Sequence, residues 1–342
     1  MRPFPLAAVA LAAVTLALFP AACLATAADG SPGGGASSFT ISDRRITESS
    51  GLAASRRHPG LYWTHNDSGD GPYVYGVDAA TGRTVARLTL TGIGTPRDVE
   101  AISLGPDGRL YVGDIGDNRN GRWDQVWIYR FPEPARLGDQ SVKATTFTVR
   151  YEDGPRDAES LMVHPVTGRV YIASKNQSGG GLYEGPERLQ TGATNVFRRI
   201  APVPWVTDGA FSPDGTRVTL RGYLMARTYP WRDGRPVGEG ARVEAPWQGQ
   251  AESVTYSADG SMLLFGSEGK DSQVMALPAT PSGSLGVALP NPGAGGPTLS
   301  DGHAPVAHGG GNFTLSALVL SSVAAAVIGL RRLTRRGGSS RR

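Results

Sequence analysis

The sequence predicts an all-β domain built from one strand-turn-strand unit used five times, and two observations predict it. The first is the stretch from Asp98 to Asp114. Alternating apolar residues around Ile102 lead into a Pro106-Asp107-Gly108 turn, and Leu110-Tyr111-Val112 then supplies a β-branched and aromatic run. The second is its recurrence: similar openings stand at Ser50-Gly51-Leu52, Glu159-Ser160-Leu161, Gly209-Ala210-Phe211 and Glu252-Ser253-Val254. Strand-rich repeats of about 40–50 residues are the mark of propeller blades, so a five-bladed β-propeller is expected, with six blades as the alternative.

The first blade is assigned to runs near residues 51–54, 61–64, 73–77 and 85–90, and the second to runs near 101–103, 110–112, 126–131 and 145–149. The third takes 160–163, 170–173, 181–184 and 195–200, and the fourth 211, 218–221, 225–231 and, more weakly, 241–244. The fifth has only three runs, near 253–256, 262–265 and 273–277. An isolated alternating segment at 39–46 has no hairpin partner nearby, and it is expected to complete the fifth blade and close the ring. The chain holds 47 Gly and 25 Pro, most of them between apolar runs, which fits many short strands rather than disorder.

The two ends carry different signals. Met1-Arg2, an apolar run to Phe19 and small residues around Ala25-Thr26-Ala27 read as a secretory signal over residues 1–28. Cys23, the one cysteine, falls inside it, so no disulfide is expected, and Ala21-Ala22-Cys23 raises lipoprotein processing as an alternative. Residues 29–37 read as a flexible leader, 38–280 as the propeller and 281–312 as a Gly/Pro-rich linker. Residues 313–330 carry no charge and as a helix would span about 27 Å, close to a bilayer's hydrocarbon thickness. The arginine-rich tail at 331–342 belongs on the cytoplasmic side of such an anchor. The expected location is therefore the outer face of the cytoplasmic membrane, at a bacterial cell surface, with a single pass and the tail inside.

The net charge of +4 comes from these ends. Without Arg2 and the tail arginines the domain is slightly acidic, so it lacks the basic footprint of a nucleic-acid binder. A monomer with an unidentified extracellular ligand or protein partner is expected.

Equivalent positions on the first strands of blades form a ring around the central tunnel. The column Ser50, Glu100, Glu159, Gly209 and Glu252 would bring three carboxylates close together, which calls for a positive charge between them. Carboxylates, a hydroxyl, carbonyls and water suit calcium, and the ring has no His or Cys for zinc. The predicted metal ligands are Ser50, Glu100, Glu159 and Glu252. In the competing reading each Glu braces amides of the neighbouring blade. A second column, Glu48, Asp98, Asp157, Thr207 and Gln250, either widens the site or caps turns. Polar residues after the second strands form a candidate ligand-binding rim: His65, Asp67, Asp114, Asp117, Lys175, Arg221 and Glu268. Catalytic residues are not identifiable, since the Gly-x-Ser-x-Gly elbow, His-Glu-x-x-His and P-loop patterns are missing.

Trp63-Thr-His-Asn-Asp-Ser-Gly-Asp70 and Tyr111-Val-Gly-Asp-Ile-Gly-Asp-Asn118 resemble motifs of uncharacterised exported WD40-like propeller proteins of high-GC Gram-positive bacteria. More distantly, Ser50, Glu100, Glu159 and Glu252, with Val99-Glu-Ala-Ile102 and Leu110-Tyr-Val-Gly113, resemble the ring of calcium-dependent apyrases. That resemblance implies a five-bladed propeller with calcium in its tunnel, and it breaks at Gly209, where the family has Ser. Two functions follow as expectations: a calcium-stabilised ligand- or protein-binding module, or a calcium-dependent hydrolase of phosphate esters or anhydrides in which Lys175 or Arg221 neutralises the substrate.

Overall fold

A computed structural model describes residues 36–279 except Ser68 and Asn120. The expected signal segment, most of the leader, the linker, the anchor and the tail lie outside the described residues. Among the described residues every regular element is a strand, and no helix is long and apolar enough to cross a membrane.

The strands form successive antiparallel units. The first comprises β2 (Ser49–Ala54), β3 (Leu61–Asn66), β4 (Tyr73–Asp78) and β5 (Arg83–Thr91), and it follows the short β1 (Phe39–Thr40). The second holds β6 (Val99–Leu104), β7 (Arg109–Asp114), β8 (Val126–Pro132) and β10 (Thr145–Tyr151), with β9 (Gln140–Lys143) between the last two in sequence. The third is β11 (Ala158–Val163), β12 (Val170–Ser174), β13 (Gly180–Glu184) and β14 (Thr194–Val203). In the fourth, β15 (Asp208–Phe211), β16 (Arg217–Arg221) and β17 (Ala226–Arg232) pair in order, and β17 also pairs with β18 (Arg235–Pro236) and β19 (Ala241–Val243). The last unit is β20 (Ala251–Tyr256), β21 (Met262–Ser267) and β22 (Gln273–Pro278), and β1 completes it by pairing with β22.

One turn recurs between the first two strands of every unit. Gly60, Gly108, Gly168, Gly215 and Gly260 stand just before the second strand with φ of 77°, 67°, 71°, 72° and 74°. Glycine enters this left-handed region without the steric cost a side chain brings, so the turn is written into the sequence at each repeat.

The units close on themselves. β2 packs beside β6, β6 beside β11, β11 beside β15, β15 beside β20, and β20 beside β2. Residues of all these first strands, among them Ala53, Ile102, Val163, Ala210 and Thr255, line one small cavity of about 70 Å³. The core lies between the sheets, not within one slab. Trp63, Leu110 and Phe131 fill the interface of the first and second units, and Tyr111, Leu161 and Phe197 that of the second and third. Tyr171, Phe211 and Trp231 join the third to the fourth, and Ala226, Val254 and Phe265 the fourth to the last. Phe39, Leu52, Tyr62, Leu264 and Val274 then join the last to the first. The architecture is all-β and propeller-like.

Two features were not legible beforehand. β9 leaves its own unit to pair in parallel with β5, and β10 pairs in parallel with β14, which merges the second and third units into an eight-stranded sheet. These parallel contacts use outer edges, where strands of different units meet without a connecting turn to announce them. The closing segment is also shorter as a strand than its alternation suggested. After Thr40 it turns at Asp43 and Arg45, whose guanidinium donates to the Asp43 carboxylate, while Ile41 and Ile46 remain buried.

Closure makes a stability prediction. Phe39 is buried and stacks on Tyr62 with ring centroids 5.4 Å apart, bridging the ends of the ring. Phe39→Ala should cost about 3–5 kcal/mol in chemical denaturation. Val85→Ala, at an exposed position, should change stability little, and equal effects of the two would show that the N-terminal strand does not hold the ring.

Candidate functional site

The polar column is produced by a backbone irregularity. Pairing of β2 with β3 skips Ser50, because Ser49 faces Asn66 and Gly51 faces His65. Glu100 is skipped between β6 and β7, Glu159 between β11 and β12, and Glu252 between β20 and β21. Each is the extra residue of a β-bulge, a device that bends the strand and re-aims a side chain. The fourth unit pairs Asp208 with Arg221 and Gly209 with Leu220 without a skip. A Cβ at Gly209 would stand 2.7 Å from Leu220 Cδ2 and 2.8 Å from the Met162 sulfur, so the break in the polar column has a packing cause.

The bulges are locked from the second column. Backbone amides of Asp67, Gly116, Lys175 and Glu268 donate to the carbonyls of Glu48, Asp98, Asp157 and Gln250 at 2.9, 3.1, 2.8 and 3.0 Å. The first residue after the second strand in the first, third and last units, and the second one in the second unit, is thereby fixed over the ring, which puts the Asp67, Lys175 and Glu268 side chains at equivalent places.

Glu100 is brought together with Asp67 and Asp98. One carboxylate oxygen from each lies within 4.8 Å of the others, and all three residues are buried. Asp67 Oδ1 has no hydrogen-bond partner. Asn118 Nδ2 donates to Asp98 Oδ2 at 2.9 Å, and Ser50 Oγ reaches Glu100 Oε2 at 3.4 Å. Gly116 forms the wall: a Cβ there would lie 2.5 Å from Glu100 Oε1 and 2.7 Å from Asp98 Oδ2. Burial, then the neighbouring carboxylates Asp67 and Asp157, pushes the Asp98 carboxyl up to about 7. Burial and the charges of Asp67, Glu159 and Asp98 raise Glu100 well above the usual carboxylate range. An all-oxygen set of this kind, short of positive charge and with an unpartnered oxygen, could hold a metal ion.

Glu159 and Glu252 have a different counter-charge. Lys175 Nζ is 2.5 Å from Glu159 Oε1. Desolvation acts to lower the lysine's pKa, but Glu159, Glu252, Tyr223 and Glu100 outweigh it and hold the ammonium well above its ordinary value. The Tyr223 ring lies 5.5 Å from the same nitrogen, with the Trp205 ring edge-on to it at 5.1 Å.

The remaining rim residues have structural partners. Arg221 is buried, and its two Nη groups donate to the carbonyls of Ser253 and Gly266, at 2.6 and 2.7 Å, and to Gln248 Oε1 at 2.7 Å. Asp208 accepts from the amides of Gly209 and Val254, which stitches the fourth unit to the last. Asp114 accepts from the Asp98 amide at 2.9 Å and the Tyr129 hydroxyl at 2.7 Å, holding the strand that carries the acidic cluster. Asp117 accepts from the amides of Arg119, Arg122 and Trp123 and shapes the following loop. Glu268 accepts from Gln250 Nε2 at 2.7 Å. His65 is buried, with Nδ1 3.0 Å from the Asn66 carbonyl and Nε2 without a partner, and burial lowers its pKa, so the ring is neutral.

Asp98 is the cluster residue that sequence reasoning left in a supporting column. Its signal was the spacing Asp98-Val99-Glu100, since residues two apart share a strand face. The approach of Asp67 from the neighbouring unit had no such signal.

No protein-family profile matches the chain, and no curated protein sequence matches it. Similar solved structures include the PQQ-bound aldose sugar dehydrogenase of Streptomyces coelicolor, at 13% identity and a TM-score of 0.41. The match covers 71% of this chain and 99% of that one. A gluconolactonase from Xanthomonas campestris is similar at 18% identity and a TM-score of 0.44, covering 71% of this chain and 80% of its own.

The Asp98 shift fixes the sign of a pH effect. A carboxyl raised from 3.8 to about 7 keeps its proton in the folded chain where the unfolded chain has lost it. Its stabilising contribution is complete below about pH 4 and is lost as the pH rises through about 7. In chelator, stability to urea should therefore fall by more than about 1 kcal/mol between about pH 5 and 8, and Asp98→Asn should make that fall shallower, the remainder coming from carboxyls such as Glu100 that burial raises in the same direction. Parallel pH profiles for the two proteins would contradict this.

Proposed function

We propose that the chain is a five-bladed β-propeller, displayed outside the cytoplasmic membrane by its C-terminal segment, whose acidic mouth binds calcium and serves as a ligand- or protein-binding module. The cyclic packing of β2, β6, β11, β15 and β20, with β1 completing the last unit, supports five blades over six. The observation that carries the cation is the convergence of Asp67, Asp98 and Glu100 within 4.8 Å, with Asp67 Oδ1 buried and unpartnered. Asp67 belongs to one unit and Asp98 and Glu100 to the next, so an ion held there would also tie two blades together.

Binding is favoured over phosphoester hydrolysis by what the basic groups do. Lys175 is ion-paired to Glu159, and Arg221 is enclosed by carbonyls, so neither presents its charge to an incoming phosphate. The surrounding carboxylates would repel one. Calcium, a hard cation, suits the oxygen donors, and burial of the site favours an ion that sheds several waters.

The test is thermal unfolding of the purified protein with calcium or with chelator. Calcium at about 100 times its dissociation constant should add about 2.7 kcal/mol of stability, and Asp67→Asn should abolish that gain while leaving the chelated protein folded. A calcium effect of the same size in Asp67→Asn would remove the cluster as its source. Across a panel of nucleotides and phosphomonoesters no phosphate release is expected with calcium present, and turnover lost in Glu100→Gln would establish the hydrolase instead.

A further inference from the structure

We propose that the ring of Ser50, Glu100, Glu159 and Glu252 is a second cation seat, filled in this chain by the Lys175 ammonium, so that Lys175 sets how many metal ions the mouth accepts. The inference deepens the cation-binding reading and relies on it only for the neighbouring ion at Asp67, Asp98 and Glu100.

The ring has the surroundings of a cation and contains one. Glu100, Glu159 and Glu252 are each at most 3% exposed. The ammonium lies 2.5 Å from Glu159 and feels Glu252 and Glu100 through the same low-dielectric interior. The Tyr223 ring adds a fourth negative surface at 5.5 Å. Lys175 makes the same backbone contact as Asp67, Gly116 and Glu268 in three other units, its amide N–H donating to the Asp157 carbonyl. It is the basic residue among these equivalents.

The two seats differ in the way a tethered cation would make them differ. The Glu159 carboxylate has the ammonium against it, whereas Asp67 Oδ1 has no hydrogen-bond partner. A flexible four-carbon stem delivers a single positive charge to the ring, held against Glu159. Removing that charge while keeping the bulk of the stem leaves a hydroxyl and three carboxylates, a set suited to a compact cation: an alkylammonium or a hard divalent ion.

The experiment counts calcium per chain by equilibrium dialysis and atomic emission in the wild type and in Lys175→Met. The variant should bind one more ion than the wild type, and adding Glu252→Gln should remove the extra ion. Lys175→Ala should be stabilised by n-propylammonium, which restores the missing stem and charge, and not by n-propanol. Lys175→Gln carries the same count if the methionine variant does not fold. No gain of an ion together with no rescue by the amine would overturn the proposal. The wild-type count reports separately on the neighbouring site: none in the wild type with a gain of one in the variant sinks that site and keeps this one, and one in both proteins does the reverse.

Discussion

Carboxylates buried side by side must share a proton or find a positive charge, and the mouth of this molecule is built around that requirement. Asp67, Asp98, Glu100, Glu159 and Glu252 are all nearly inaccessible to water. An isolated carboxylate moved into such surroundings pays a solvation cost far larger than the net stability of a domain. Two responses coexist within one cluster. Glu159 has an ammonium against it. Asp98, hemmed in by Asp67 and Asp157, is pushed toward its protonated form instead.

Such a cluster would not form on an ordinary flat sheet. Adjacent strands in one sheet place their side chains in rows, whereas here the contributing strands are sheet edges that meet without pairing: β2, β15 and β20 each end a sheet of their own, and β6 and β11 are the two ends of the eight-stranded one. The bulges then turn one residue per strand out of register toward the shared interior. Where the bulge is missing, the position is a glycine pressed against Leu220 and Met162, and Asp208 beside it bonds the next unit's backbone instead. The fourth unit is thus the structural side of the ring. Its Arg221 is held by carbonyls of the last unit, so a charge that looked available for a ligand is part of the wall between two sheets.

The residues around the cluster behave as scaffolding with graded roles. Asp114 and Asp117 spend their oxygens on backbone amides, fixing the strand and loop that carry Asp98 and Asn118. The Arg97 guanidinium is sandwiched between the rings of Trp123 and Trp127, 3.8 and 3.9 Å from their centroids, and so stiffens the same loop. Gly116 keeps its place because the carboxylates occupy the volume a side chain would need. Rigid support of this kind is what keeps like charges close together.

Strand positions, the recurrent glycine turn, the closing N-terminal segment and the polar column were legible in the sequence, because each depends on local periodicity or on a backbone angle that few residues tolerate. The same local logic missed β9 and its parallel pairing with β5, which is decided by an edge that only exists once the first sheet has formed. It also grouped Glu100 with Glu159 and Glu252 by analogy of position, whereas the folded chain draws Glu100 toward Asp67 and Asp98 and gives the other two to Lys175. Nothing in residue spacing says which side chain reaches across a gap between sheets. Periodicity along the chain therefore determined the repeating unit and the inward column, and the choice of partner for each buried charge was left to the packing of separate sheets, where distance in space and loss of water set the energy.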